Sequence, residues 1–338
     1  SLSVGVLEHD DTGKVDVEAR ELALTQTTWK LDAAASWRAT FPAPTRRAAQ
    51  SYTSLDIAFN NPALAVLQDA AGLRGCDTVA PEQDSRLLGT LAHRLVQLLL
   101  EDPAALSWQH KQVSYWFDAT VDELLRCEGM PLLAPGNAVQ LTQFKTAAFS
   151  GIVALLSFLA AAGVQKVEAE RPLKGTLGTL ALTGETDLLL HLGDGSTAAL
   201  DLKWARSGRF RDILEDGQFL QLALYSHMVE AETGQAPAAV GYFTFLDGNL
   251  STLTPHVFGE NAWVVIPSDG QTVAQLVQGA RVMWDWRVQQ WREGEVDVFA
   301  DGSKAPASTP PEGGLSIKAL GPWHTDLIRL FGQQGSEA

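Results

Sequence analysis

The order of segments predicts an α/β fold, a mixed central sheet flanked by helices, with an α-rich N-terminal half. Three observations predict it. Apolar residues recur at helical spacing through most of 51–163. From residue 165 three short segments of β character follow one another, VQKVEAERPL, GETDLLLHL and TAALDLKWA, separated by Gly and Asp-Gly turns. A helix-like stretch and a further strand come next, the order that lets a strand join a sheet across a helical connection.

Taken in order, residues 1–50 contain acidic and Thr/Ala-rich stretches and FPAPTRR, and assign to no element. Residues 51–75 read as a capped helix, a turn at Asn60-Asn61-Pro62 and a second helix. Residues 84–101 form a strong helix whose apolar stripe runs Leu88, Leu91, Leu95, Leu98. Helices follow at about 111–129 and 137–163. Residues 147–164 carry no charge, but their Ala, Gly and Ser content and the lack of an aromatic belt favour a buried core helix over a membrane span. After the three strands come a helix near 209–232, a strand at 238–246 and a helix near 271–293. The last carries Trp284, Trp286 and Trp291, whose size and spacing favour core packing over base stacking. Residues 301–315 have linker composition, and HTDLIRLFG reads as a short amphipathic tail helix. The expected division is an extension at 1–50, a main domain at 51–300, and a linker with tail at 301–338.

The 338 residues, 46% of them hydrophobic, suffice for a sizeable core. The net charge of −15 argues against a free-standing, non-specific DNA binder, which would carry a basic stripe. It leaves room for a local acidic cluster that holds a metal. Cys76 and Cys127 are too few for a disulfide framework or a four-thiolate site, so a reducing, cytoplasmic setting fits best. The opening SLSVGVLEHDDTGKVD has neither Met nor signal-peptide pattern, which leads us to expect a piece of a longer protein or the remnant of an N-terminal tag.

The chemistry centres on Ala199-Leu-Asp-Leu-Lys203. On a strand, Leu200 and Leu202 point one way, into the core, and Asp201 and Lys203 the other, side by side. A hairpin turning at Gly193-Asp194-Gly195 brings Asp187 next to Asp201. Two carboxylates forced together repel, and a divalent cation removes the conflict. Oxygen ligands of this kind suit Mg²⁺ or Mn²⁺, with the backbone carbonyl of Leu202 a further ligand. Such a cation polarises a phosphodiester oxygen and acidifies water, while Lys203 orients water or offsets charge on the phosphate. A lone Asp-x-Lys on a strand is, by itself, more often a solvated ion pair. Its company raises its meaning: Gln221 and Tyr225 lie on one face of the next helix, Gly89 lies one turn before His93, and Glu170 ends the strand before Asp187. A histidine on an apolar helix is, by itself, more often a satisfied core residue.

In sequence order these are Gly89–His93, Gly184–Asp187, Asp201–Lys203 and Gln221–Tyr225. The set resembles the RecB-like branch of the PD-(D/E)XK nucleases, with GxxxH on a helix, GxxD before a strand aspartate, DxK on the next strand and QxxxY on the following helix. The resemblance covers roughly 51–300. It implies a restriction-endonuclease-like core, His93, Asp187 and Asp201 as metal ligands, Lys203 as the catalytic lysine, and Gln221 and Tyr225 positioning it or contacting DNA. Ser51-Tyr-Thr-Ser-Leu55, Asn61-Pro62 and Gly72-Leu-Arg74 look like the entry to AddB-type nuclease domains. There a Cys-Pro opens an iron–sulfur cluster; here Asn61 replaces the cysteine and no cysteine follows Cys127, so the cluster is expected to be absent. Packing by Trp323 and the tail helix could pin the ends instead.

Arg206, Arg209 and Arg211, close behind Lys203, form the local positive stripe that could meet phosphates, or a solvated loop. The expected function is a metal-dependent DNA nuclease that relies on a helicase or other domain for DNA grip, without a membrane. The alternative is a silent scaffold of the same fold that binds DNA ends or a protein.

Overall fold

The computed structural model describes residues 3–9, 15–21, 36–38, 47–69, 72, 85–297 and 309–318. Strands β1 (Ser3–His9) and β2 (Val15–Glu21) pair as an antiparallel hairpin, and β3 (Ser36–Arg38) is a short strand. Then come α1 (Tyr52–Asn60), α2 (Pro62–Asp69), α3 (Ser85–Leu100), α4 (His110–Cys127) and α5 (Ala138–Ala161). They are followed by β4 (Val164–Leu177), β5 (Leu180–Leu192), β6 (Thr197–Lys203), α6 (Gly208–Glu215) and α7 (Leu220–Thr233). The chain continues with β7 (Ala239–Thr244), β8 (Asn249–Thr252), β9 (Trp263–Val264), α8 (Val273–Arg292) and β10 (Glu295–Asp297). The central sheet has the order β4-β5-β6-β7-β8-β9 and is mixed: β6 runs parallel to β7, β8 parallel to β9, and the other neighbours are antiparallel. The expected fold class is therefore the observed one.

Strand alternation divides the sheet between two cores. Leu188, Leu190, Leu200 and Leu202 face a cluster built with α3, α4 and α5. Leu182, Leu189, Ala199 and Val240 face a second cluster built with α1, α6, α7 and α8. α1 starts at a capping box, in which Ser51 Oγ accepts from Ser54 N and Ser54 Oγ accepts from Ser51 N. α2 starts where Asn61 Oδ1 accepts from Leu64 N. On α3 the buried stripe is Leu91, Leu95 and Leu99, flanked by Ala92 and Val96. Leu88 and Leu98 of the expected stripe lie at its margins, partly buried. By length and composition α5 could cross a membrane. In this fold Phe144, Ala148, Ile152 and Leu155 bury one face of it in the first core.

Four expectations need correction. The helix expected over 209–232 is two helices, because Gly217 adopts φ +66° and turns the chain between α6 and α7. β4 and β5 run on past the expected segments to a tight turn at Gly178, φ +64°, which makes a hairpin much longer than the motif alone requires. β8 and β9, too short to leave a pattern, went unread. Residues 1–50, left unassigned, contribute three strands. Trp323 and the expected tail helix lie outside the described residues.

Among the described residues the ends of the domain are tied by a buried arginine. Arg287 on α8 is fully buried; its Nη2 donates to Phe59 O at the end of α1 (2.9 Å), and its Nη1 to Asp297 Oδ2 on β10 (2.5 Å) and Gln290 Oε1 (2.7 Å). β10 in turn pairs with β3. Trp284 and Trp291 pack edge to face at 5.9 Å in the second core, so these two serve packing. Nearby, Lys318 N donates to Asn60 Oδ1 at 2.8 Å. Cutting one partner from a buried ion pair strands the other charge. Asp297→Ala is therefore expected to cost about 3–5 kcal/mol in urea denaturation, and an apolar replacement of both Arg287 and Asp297 much less.

Candidate metal centre

The site forms where two strands part. β5 and β6 pair from His191↔Thr197 to Leu188↔Leu200 and no further, while β6 continues along β7 to Lys203↔Thr244. Beyond the fork β5 keeps β4 on one side, and Gln50 bridges to it at Leu182, with Gln50 N donating to Ala181 O and Thr183 N to Gln50 O, both 2.9 Å. The amide of Leu202, past the last β5–β6 pair, donates instead to the Asp187 carboxylate (Oδ2, 2.5 Å). Asp187 and Asp201 thus stand beside each other at the fork, as the hairpin register implies.

On the second-core side Asp201 is almost completely buried. Its Oδ2 lies 2.6 Å from Lys203 Nζ, and its Oδ1 accepts from Gln221 Nε2 at 2.7 Å. Gln221 also accepts from Lys203 Nζ (Oε1, 3.5 Å) and donates to Tyr225 Oη (3.1 Å). Gln221, itself bonded to Tyr225 one turn on, therefore holds both members of the Asp-x-Lys. Gly184 lets α7 come this close: a Cβ there would stand 2.7 Å from Met228 Cε and 3.2 Å from Tyr225 Cε1.

From the first-core side α3 delivers His93. Its Nε2 makes a 2.9 Å bond to Leu202 O, and its Nδ1 lies 3.6 Å from both Asp187 Oδ1 and Glu170 Oε1. His93, Glu170 and Asp187 each offer a ligand atom, all within 4.8 Å of one another. A nitrogen and two carboxylates at this spacing fit a divalent cation. One turn before His93, Gly89 has room for a side chain: a Cβ there would meet Trp204 Cβ at 3.6 Å, ordinary contact.

Glu170 is the site residue that sequence reasoning under-read, naming it as company and giving it no role. In the β4–β5 register it lies between Ala169↔Leu188 and Arg171↔Thr186, opposite Asp187. Its φ of +48° interrupts the ladder there. A non-glycine residue in that region is strained, and such strain collects at functional sites. Burial, then the Asp56 charge and after it that of Asp201, push up the phenol of Tyr52 at the start of α1; burial, then the Asp201 charge, push up that of Tyr242 on β7. The arginine stripe divides: Arg206 and Arg209 are exposed, whereas the Arg211 guanidinium stacks on Trp263, 3.6 Å from the ring centroid. Asp247 fixes the approach to α6 by accepting from Ser207 N (2.9 Å) and Ser207 Oγ (2.7 Å).

A model of the PD-(D/E)XK nuclease superfamily matches residues 49–308. The chain belongs to that superfamily. No curated protein matches it. PD-(D/E)XK proteins are generally hydrolytic nucleases that use divalent metals, and the fold implies DNA as substrate. The forked strands, the Asp-x-Lys and the His/Glu/Asp group of this PD-(D/E)XK domain fit that chemistry.

Protons and a cation compete for the same atoms. Burial first, then the Asp201 charge, raises Asp187 to about 7. Burial likewise raises Asp201, against the pull of Lys203. Burial opposes charge on His93, yet Glu170, Asp187 and the Leu202 carbonyl together raise it, and His93 in turn lowers Glu170. The folded chain thus holds protons on Asp187 and His93 more tightly than the unfolded chain does. Raising the pH from the usual carboxylate range through about 7 therefore removes stability from the metal-free protein. Melting curves in chelator should fall over that interval, and Asp187→Asn should flatten the slope. With Mn²⁺ the added thermal stability should grow as pH rises, because the ligands are then free of protons.

Proposed function

We propose that this chain is a Mg²⁺- or Mn²⁺-dependent deoxyribonuclease that hydrolyses phosphodiester bonds. It would work as an exonuclease or end-processing module of a helicase–nuclease, repair or defence system. The observation that carries the reading is the meeting at one strand fork of groups from four separate elements: His93 from α3, Asp187 from β5, Asp201 and Lys203 from β6, and Gln221 from α7. The order of these motifs supports a RecB-like, AddB-like branch. Asn61, which caps α2 where that branch has a cysteine, supports a domain without an iron–sulfur cluster. The paucity of cysteine favours a reducing, cytoplasmic setting.

His93, Asp187, Asp201 and the Leu202 carbonyl would hold the cation, with Glu170 in reach. Bound there, it would draw charge from a phosphodiester oxygen and acidify water. The chain's own groups do the positioning. Lys203, held by Asp201 and Gln221, presents its ammonium at the mouth of the fork, where it orients water and offsets charge on the phosphate. Gln221 and Tyr225 fix where Lys203 Nζ sits. Burial of Asp201 keeps competing water from the carboxylate. The net charge of −15 supports a partner subunit or domain, such as a helicase, that supplies most of the DNA grip.

Purified protein with Mn²⁺ or Mg²⁺ should degrade DNA. Asp201→Ala should abolish cleavage, and Lys203→Ala should lower it by about 10²–10³-fold, the usual worth of one charge-stabilising group. Both variants should keep the circular-dichroism spectrum of the parent. Activity equal to the parent's in both would refute the assignment. A scaffold that binds DNA ends without cutting is the second reading; Mn²⁺ calorimetry separates the two, since a scaffold would show no heat that Asp187→Ala removes.

A further inference from the structure

We infer that Arg94 binds a DNA phosphate next to the one cleaved, an inference that rests on the nuclease reading above. α3 places Arg94 directly after His93, and the two share an open cleft of about 560 Å³. One wall is α3 from Gly89 to Gln97; the other carries Glu128, Glu170 and Glu185. A polyanion entering between three carboxylates meets repulsion unless cations offset them. Glu170 faces His93 and the candidate cation site. Beside the titratable His93, Arg94 is the permanently charged cation lining this cleft among the described residues.

Its guanidinium is held on two sides and open on the third. Nη1 donates to Gln97 Oε1, and Nε lies 3.6 Å from Glu128 Oε1, while Nη2 has no partner among the described residues. A planar cation fixed in this way offers its remaining N–H groups to a phosphate with little ordering left to lose. Stability does not account for the arrangement. The Arg94–Glu128 pair is long and its side chains are 38% and 42% exposed, a class of ion pair that contributes almost nothing. The position also complements the exposed Arg209 on α6. α3 packs on one face of the sheet and α6 on the other, so the two arginines stand on helices of opposite layers.

The test is DNA binding by fluorescence anisotropy over a salt series, with Ca²⁺ in place of Mg²⁺ to hold back turnover. Arg94→Gln should reduce the slope of log affinity against log salt by about 0.7–0.9, one phosphate contact. It should raise KM by about 10- to 100-fold with kcat little changed, the worth of one charged hydrogen bond. A walk of single methylphosphonate linkages should find one position whose neutralisation weakens the parent protein and leaves Arg94→Gln unaffected. Glu128→Gln, which removes the acidic partner of Arg94 among the described residues, should tighten binding more in the parent than in the Arg94→Gln background; an equal gain in both would show only the loss of cleft charge and count against Arg94. Equal salt slopes and equal methylphosphonate profiles for parent and Arg94→Gln, in a parent that cuts DNA, would overturn this inference and leave the nuclease reading standing. A parent that neither binds nor cuts DNA would overturn both.

Discussion

The fork between β5 and β6 is the constraint on which the site depends. Antiparallel neighbours normally satisfy each other's backbone along their whole length, and a break leaves amides and carbonyls without partners. Here the break is filled by chemistry-bearing side chains. Asp187 takes the amide of Leu202, and His93 takes its carbonyl. The two groups that anchor the candidate metal centre therefore also repair the sheet. Long pairing of β4 with β5, and the Gln50 bridge on the other edge of β5, keep the departing strand in place, so the gap stays open without unravelling the sheet.

The two helical layers contribute different things to that gap. The first, through α3, brings the imidazole and the cleft beside it. The second, through α7, brings the glutamine that spans Asp201 and Lys203. Each layer is anchored by its own apolar cluster. Precision at the polar centre thus comes from packed leucines on either side of the strands: Leu200 and Leu202 lock β6 into the first core and thereby aim Asp201 and Lys203 at the second. Burying acids this deeply is unfavourable without compensation, and the raised proton affinity of Asp187 is the measure of that conflict.

Much of this was legible in the sequence, because two periodicities decide it. Period two on β6 separates Leu200 and Leu202 from Asp201 and Lys203. Helical period places Gly89 with His93 and Gln221 with Tyr225. What escaped depends on geometry that no local pattern encodes. Glu170 joins the group only through the β4–β5 register and a left-handed backbone. Charge marks Arg211 in the sequence, but its stacking on Trp263, in a two-residue strand far along the chain, leaves no local pattern. Arg287, an arginine in a row of tryptophans, becomes a structural tie because α8 runs through the second core beside the end of α1. The glycine at 217 splits a helix whose apolar pattern continues on both sides.

The histidine and the carbonyl it holds are separated by 109 residues. During synthesis the imidazole leaves the ribosome long before β6 exists, and Gln221 emerges later still. Neither the helical half nor the strand-bearing half holds the whole candidate site. A nascent or truncated chain in this way lacks part of the candidate site, which is assembled only once both layers have closed on the sheet.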